Sequence, residues 1–180
     1  MKTTVHNGSF KENLLRLYEE NRSFISASDT KYASAIRSQG YANFQNLRLP
    51  DRKNELWKNT DLTEVLQLDF VKYLNRNETS RDLDFMFTCD VHNFKTDQIS
   101  FLNGWHVRTT NQLGPMPEGV IITSLDEAFR AYPELIEKHY GRYADAGKDL
   151  FLAMNTAFAR DGLFIYVPDN IILDKPVQMI

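Results

Sequence analysis

The sequence predicts an α+β fold in which helices come first and strands follow. Apolar residues recur at helical spacing through the first third of the chain, and after Leu83 they alternate as they do in strands. The pair Asn103-Gly104 lies between two apolar runs, and both residues tolerate the positive φ that a two-residue hairpin turn requires. These observations predict a helical region over residues 1–76 and a mixed α/β segment with an Asn-Gly hairpin over residues 77–147.

Two helices are predicted in the first region. Ser9-x-x-Glu12 is a capping box, in which the serine hydroxyl and the glutamate carboxylate each bond a free backbone amide at the start of a helix. A second helix is predicted after Ser28-Asp29. Gly40 is either the C-cap of that helix or a weak point in its interior.

Short strands and short helices are predicted to alternate in the rest of the chain. A second capping box, Ser124-x-x-Glu127, predicts a helix, and Pro133 suits the first turn of the next helix because its missing amide is not needed there. A further helix is predicted from about Asp149 to Arg160. Strands are predicted over residues 85–89, 99–101, 120–122, 163–167, 171–173 and 177–180.

Composition and charge exclude several classes of function. The 180 residues include 21 Lys and Arg and 24 Asp and Glu, a net charge of -3, so the chain lacks the basic surface of a nucleic-acid or anionic-membrane binder. It contains no apolar run of the roughly 20 residues that span a bilayer. The start lacks the apolar region of a secretory signal, and one cysteine cannot form an intrachain disulfide. The sequence therefore predicts a soluble, cytoplasmic protein.

The candidates for chemistry are Cys89 and the nearby Asp90-x-His92. These residues would suit a small metal- or thiol-dependent enzyme. Against that, a single cysteine cannot hold an iron–sulfur cluster, which usually takes four thiolates, and a cysteine in an apolar strand is more often part of a core. Isolated polar residues on a strand rarely mark a site without a third partner. The residues therefore predict no catalytic, cofactor-binding or metal-binding position.

Two polar stretches also favour either a functional or a structural interpretation. In the stretch from Arg52 to Leu62, the cations could hold a partner with Trp57 as the anchor, which would make the protein a binding adaptor. Alternatively, Trp57 docks the stretch onto its own domain while the cations face water. In the second stretch, Asn155 and Asp161 could be catalytic, although a helix end closed by glycine explains the pattern without a function.

These two stretches also carry a resemblance to a known family. LPDRKNELWKNTDL, residues 49–62, resembles a segment typical of SufD proteins near their N-terminus, although Leu56 and Asn59 replace an acidic residue and a tyrosine. NTAFARDGLFIYVPDNIILDKPVQMI, residues 155–180, is similar to the start of the core shared by SufB and SufD. FLNG at 101–104 and GVIITSL at 119–125 occur in the expected order. The chain is therefore identified as a member of the SufB/SufD family, and RKNELW favours SufD.

The resemblance implies a fold and a role. The fold would be a helical and mixed region leading into a right-handed parallel β-helix, with residues 148–180 forming a helix and the first strands of that core. The role would be a non-enzymatic scaffold subunit of a SufBCD-type complex that assembles iron–sulfur clusters, with a SufB-like paralogue and a SufC-like ATPase as partners. The family's working residues would lie beyond Ile180, so no catalytic residue, cofactor ligand or metal ligand is carried over. The chain is then expected to be an N-terminal piece whose open strand edge favours self-association.

Overall fold

The computed structural model describes residues 9–68, 72, 74–75, 96–107 and 113–180. Its helices are α1 (Phe10–Ile25), α2 (Lys31–Asn46), α3 (Thr63–Gln67), α4 (Leu125–Ala131), α5 (Pro133–His139) and α6 (Leu150–Phe158). Its strands are β1 (Asp97–Leu102), β2 (Trp105–Val107), β3 (Ile121–Ser124), β4 (Leu163–Tyr166) and β5 (Val177–Met179). This combination confirms the predicted α+β class.

The strands form two small sheets in the described part of the chain. One sheet has the order β2-β1-β5, with β1 antiparallel to β2 and parallel to β5. The predicted hairpin joins β1 to β2, and Asn103 and Gly104 have φ of 52° and 82°. The other sheet is the antiparallel pair β3-β4. Sheets of three and two strands are not a parallel β-helix, so that part of the predicted fold stays a prediction.

Most local predictions are confirmed. The capping box at Ser9 is complete, and Gly40 lies inside α2, which continues to Asn46. At Ser124 the box is only half formed, because the carboxylate of Glu127 accepts a hydrogen bond from the Thr123 hydroxyl.

The prediction of a strand over residues 171–173 is wrong. These residues form no ladder, and Ile172 is 83% exposed. A short apolar run becomes a strand only when a partner strand is in reach, and here Asn170, with φ of 63°, turns the chain just before the run. The strand predicted over residues 85–89 lies outside the described residues.

The chain divides into two compact units. Unit 1 comprises Met1–Lys72 and Glu134–Phe158, and unit 2 comprises Tyr73–Pro133 and Ala159–Ile180. The core of unit 1 centres on Leu14, Phe44, Leu150 and Ala153. In unit 2, Val107 is buried against Leu102 and Ile180. The three-part division inferred from the sequence, 1–76, 77–147 and 148–180, stays a prediction.

A buried ion pair joins three segments of unit 1. The side chains of Arg37 and Asp29 are 7% and 8% exposed. Nε and Nη2 of Arg37 donate to the two carboxylate oxygens of Asp29 at 2.7 and 2.9 Å. Nη1 donates to the carbonyl of Ala157 at 3.1 Å, near the end of α6. Arg37 therefore links α2, the loop before α2 and the last turn of α6.

Aromatic rings pack beside this ion pair. The rings of Tyr18 and Tyr41 stack with centroids 4.0 Å apart, and Phe158 meets Tyr18 edge-on at 5.5 Å. Burial first, and then a hydrogen bond with the Glu19 side chain, raises the pKa of Tyr41 to about 12. Both phenols therefore stay neutral around pH 7, which suits their position inside an aromatic cluster.

The backbones of α2 and α6 come unusually close at Gly40. A Cβ atom at residue 40 would lie 2.7 Å from Cγ2 and 2.8 Å from Cβ of Thr156, and 3.0 Å from the backbone nitrogen of Ala157. Because backbone atoms cannot rotate away as a side chain can, the two helices would have to separate to admit a methyl group.

We therefore expect Gly40→Ala to destabilise unit 1 although alanine is the better helix former. Glycine inside a helix normally costs about 0.5–1 kcal/mol relative to alanine, whereas overpacking costs about 1–3 kcal/mol, so the net change should be a loss. Urea unfolding measures the free energy. Gln39→Ala, at the adjacent exposed position of α2, is the control and should leave stability nearly unchanged. A Gly40→Ala variant as stable as the parent would show that the two helices are not in close contact.

Candidate functional site

The residues that the sequence singled out for thiol or metal chemistry lie outside the described part of the chain. These are Cys89, Asp90 and His92, and His6 is outside it as well. The alternative of a small enzyme using Cys89 and His92 therefore stays a prediction that the structure does not test.

The two described histidines have local structural contacts. The ring of His106, on β2, lies edge-on to Phe101 with centroids 5.7 Å apart. Nδ1 of His139, on α5, is hydrogen-bonded to the hydroxyl of Tyr143, and the two rings stack at 5.9 Å. No group of three or more His, Cys, Asp or Glu side chains within residues 9–68, 72, 74–75, 96–107 and 113–180 could hold a metal ion.

The stretch from Arg52 to Leu62 is a series of tight turns fixed to unit 1. The amides of Asn54, Trp57 and Thr60 donate to the carbonyls three residues earlier, at 2.9–3.0 Å. Trp57 is partly buried, and its ring lies 5.2 Å from that of Phe151 on α6. This contact confirms the structural interpretation, in which the tryptophan docks the stretch onto its own domain.

Charges in this stretch are paired with each other. Arg52 forms an ion pair with Asp61, and Lys58 forms one with Glu55, all with exposed side chains. Hydrogen bonds from Thr63, first from its backbone amide, lower the pKa of Asp61. Such exposed pairs contribute little stability, but they balance the positive charge that could otherwise attract an acidic partner.

A shallow depression of about 360 Å³ lies beside this stretch. It is lined by Pro50, Asp51, Arg52, Lys53, Thr60, Asp61, Leu62, Thr63 and Leu66. Its charged lining includes the Arg52–Asp61 pair, and its apolar lining is aliphatic. The depression therefore lacks the pairing of an acid, a base and a nucleophile that hydrolytic or transfer chemistry needs.

Asp161 joins three segments of unit 2 through backbone amides. Its Oδ2 accepts from the amide of His106 at 3.0 Å. Its Oδ1 accepts from the amides of Gly162 at 2.9 Å and Asp126 at 3.3 Å. The carboxylate thus ties β2 and the first turn of α4 to the segment that leads into β4. Asn155 is exposed on α6, in unit 1, and the two residues perform no shared role.

Arg160 holds the same segment from its other side. Its guanidinium carbon lies 5.3 Å from the ring centroid of Trp105, a cation–π distance, and Nη1 donates to the carbonyl of Leu74 at 3.3 Å. Sequence reasoning missed this role, because Arg160 read as the last residue of a helix. The signal that could have found it is the pairing of Arg160 with Asp161 directly after α6, since two charged residues before a glycine often hold the chain at a turn.

The sequence places this chain in a known family. The family model described as the SufBD protein N-terminal region matches residues 8–179. The chain belongs to the SufBD family. This confirms the resemblance found in the sequence at the level of the family, and the distinction between SufD and SufB stays a prediction.

Relatives in this family carry names that state iron–sulfur cluster assembly. The chain is 48% identical, over 94% of its length, to the iron–sulfur cluster assembly SufBD family protein ycf24 of Pyropia yezoensis. It is 23% identical, over 98% of its length, to the SufBD family protein slr0076 of Synechocystis. It is 37% identical, over 42% of its length, to the SufBD family protein ABCI9 of Arabidopsis thaliana.

The chain corresponds to part of each of these relatives. The matched regions make up 37%, 38% and 16% of the ycf24, slr0076 and ABCI9 proteins. None of the helices in the described part of the chain is long and apolar enough to cross a membrane.

We expect Asp161→Asn to loosen unit 2 without affecting unit 1. The amide side chain keeps one accepting oxygen and places an NH₂ group against backbone amides, which removes at least one hydrogen bond and costs about 1–3 kcal/mol. In a Trp57→Phe background, Trp105 is the remaining tryptophan, so its fluorescence during urea unfolding reports unit 2. Hydrogen exchange at the amides of His106 and Asp126 should accelerate.

Asp169→Asn is the matched control, since Asp169 is exposed in the same unit. Equal stability of the Asp161 and Asp169 variants, with unchanged exchange at both amides, would show that Asp161 does not hold these segments together.

Proposed function

We propose that this chain forms the N-terminal part of a SufD-type scaffold subunit in a SufBCD-type complex that assembles iron–sulfur clusters. In this role the chain supplies folded structure and assembly contacts, and it is not an enzyme. Its partners are a SufB-like paralogue and a SufC-like ATPase. The proposal includes no cofactor bound within residues 1–180.

The observation that carries the proposal is the extent of the family match. The SufBD N-terminal region covers residues 8–179, which is nearly the whole chain, so both units belong to the same family region. The names of the ycf24, slr0076 and ABCI9 relatives state iron–sulfur cluster assembly. A role in that process is therefore the simplest one for this chain.

The roles of the notable polar residues support a scaffold more than a catalyst. Arg37 and Asp29 bond each other and a helix carbonyl, and Asp161 accepts from three backbone amides. A catalytic acid or base needs a position from which it can reach a substrate, whereas these groups are occupied by the chain itself. Their positions favour a structural role.

The pairing of β1 with β5 supports the proposed continuation into a β-helix. The last residues of the chain return to β1 and pair with it in parallel, with Asp97 opposite Val177 and Ile99 opposite Met179. The ladder continues to Ile180, whose carbonyl accepts from the amide of Phe101 at 2.7 Å. Parallel pairing of strands distant in the sequence is the geometry that stacked coils of a parallel β-helix need.

A location in the cytoplasm is part of the proposal. It rests on the composition of the chain and on the lack of a secretory signal at its start. The name of one relative, the ABCI8 protein of Arabidopsis thaliana, includes the word chloroplastic, so members of the family do not all share one compartment.

Co-purification tests the scaffold role. The complete reading frame that encodes this chain would be expressed with an N-terminal tag together with a SufC-like ATPase and a SufB-like paralogue of the same organism. We expect the three proteins to elute together in size-exclusion chromatography, and we expect metal analysis of the 180-residue chain alone to find no bound iron. Cys89→Ala is the matched control and should change neither result.

Two outcomes would contradict the proposal. One is repeated failure of the ATPase and the paralogue to elute with the tagged protein. The other is stoichiometric iron on the isolated chain that is lost in Cys89→Ala, which would favour the small enzyme instead.

A further inference from the structure

The β3-β4 sheet is only partly covered. Neither of its strands contains a fully buried apolar residue, and Ile165 and Tyr166 of β4 are 43% and 36% exposed. Ile122 faces Ile165 across the ladder, so the exposed residues form a continuous apolar surface. A two-stranded sheet is marginally stable in water unless a further strand or another layer covers it.

The outer edge of β4 lacks the usual protection against pairing. Among the described strands, β4 pairs only with β3, and the segment Leu163–Val167 contains no charged residue. Proteins normally protect a free strand edge with charged side chains, proline or a bulge, because its unpaired amides and carbonyls otherwise bind another strand. Here Val167 extends the uncharged edge and is 38% exposed, and the first proline, Pro168, follows it.

We propose that β4 pairs antiparallel with β4 of a second copy of this chain, forming a four-stranded sheet β3-β4-β4-β3 across a twofold axis. A strand that pairs antiparallel with its own copy makes an isologous contact, which closes after two copies. The resulting sheet has one more strand against each β4 and covers the exposed side of Ile165.

The charges of the chain favour a second copy as the occupant. An uncharged edge offers nothing to select a strongly acidic or basic partner, and the net charge of -3 produces little repulsion between copies. Only about five residues of each copy take part, which is less than a standard interface buries, so the dimer should be weak. This proposal does not depend on the proposed function, because it concerns the 180-residue chain alone.

Sedimentation velocity of the 180-residue chain, at concentrations from about 5 to about 500 µM, tests the proposal in the range expected for a small interface. We expect a monomer–dimer equilibrium. Ile165→Lys places a charge on the pairing edge of each copy and should weaken dimerisation at least about tenfold, as like charges across a strand pair repel. Leu56→Lys is the matched control, because Leu56 is 88% exposed in unit 1, and it should leave the dissociation constant unchanged.

A second variant and a second measurement guard against a folding defect in Ile165→Lys. Ile165→Thr keeps a β-branched residue in the strand and should weaken the dimer less than lysine does, with the circular dichroism spectrum of the parent. Hydrogen exchange of the β4 amides should slow as concentration rises.

Three results would each overturn the proposal. The first is a monomer at every concentration. The second is a dimer that Ile165→Lys and Ile165→Thr do not weaken. The third is strong protection of the β4 amides in the dilute monomer, which would mean that the chain itself covers this edge.

Discussion

The guanidinium of Arg37 lies in the interior of unit 1, with its charge balanced by Asp29 and its remaining donor on the carbonyl of Ala157. Moving such a pair out of water costs several kcal/mol per ion, and only good geometry and further hydrogen bonds offset that cost. Both conditions are met here, since the guanidinium makes a two-pronged contact with the carboxylate and also caps a helix end. The contact fixes where α2 crosses α6, and the close approach at Gly40 requires that crossing.

A second cation fixes the other end of α2. Nζ of Lys11, on α1, donates to the carbonyls of Gln45 at 2.8 Å and Leu47 at 2.6 Å, at the C-terminus of α2. Positive charge is favourable at a helix C-terminus, where the last carbonyls lack partners. In unit 2 the equivalent task falls to a carboxylate, because Asp161 meets amides instead of carbonyls. In both units, charged side chains satisfy backbone groups that the helices and strands leave open, and this is the physical basis for assigning the chain a supporting role.

Local signals in the sequence predicted much of the fold. The capping box at Ser9 and the hairpin at Asn103-Gly104 depend on residues within three positions of each other, so a short stretch of sequence contains all the information they need. The Ser124 box formed only in part because Glu127 found a neighbouring hydroxyl, and the strand predicted over residues 171–173 had no partner. Family membership was also readable, since four short motifs occur in order, and the family model matches residues 8–179.

Contacts between distant residues could not be predicted in this way. Arg37 reads as an ordinary surface charge in a polar helix, because its partner carbonyl on Ala157 lies 120 residues later. Asp161 reads as a helix end for the same reason, since the amide of His106 lies 55 residues earlier. The parallel pairing of β1 with β5 likewise joins residues 80 positions apart, such as Asp97 and Val177, and no periodicity in either strand encodes it. These contacts need the assembled units before they exist.

A double-mutant cycle on Arg37 and Asp29 tests most directly whether the buried pair organises unit 1. The variants are Arg37→Met, Asp29→Asn and both together, in a Trp105→Phe background in which Trp57 reports unit 1 during urea unfolding. Each single variant leaves a buried charge without its partner and should lose about 3–5 kcal/mol. The double variant should recover at least about 2 kcal/mol of the summed loss. Losses that add to within about 0.5 kcal/mol would contradict the account, because they would mean that the two groups do not depend on each other.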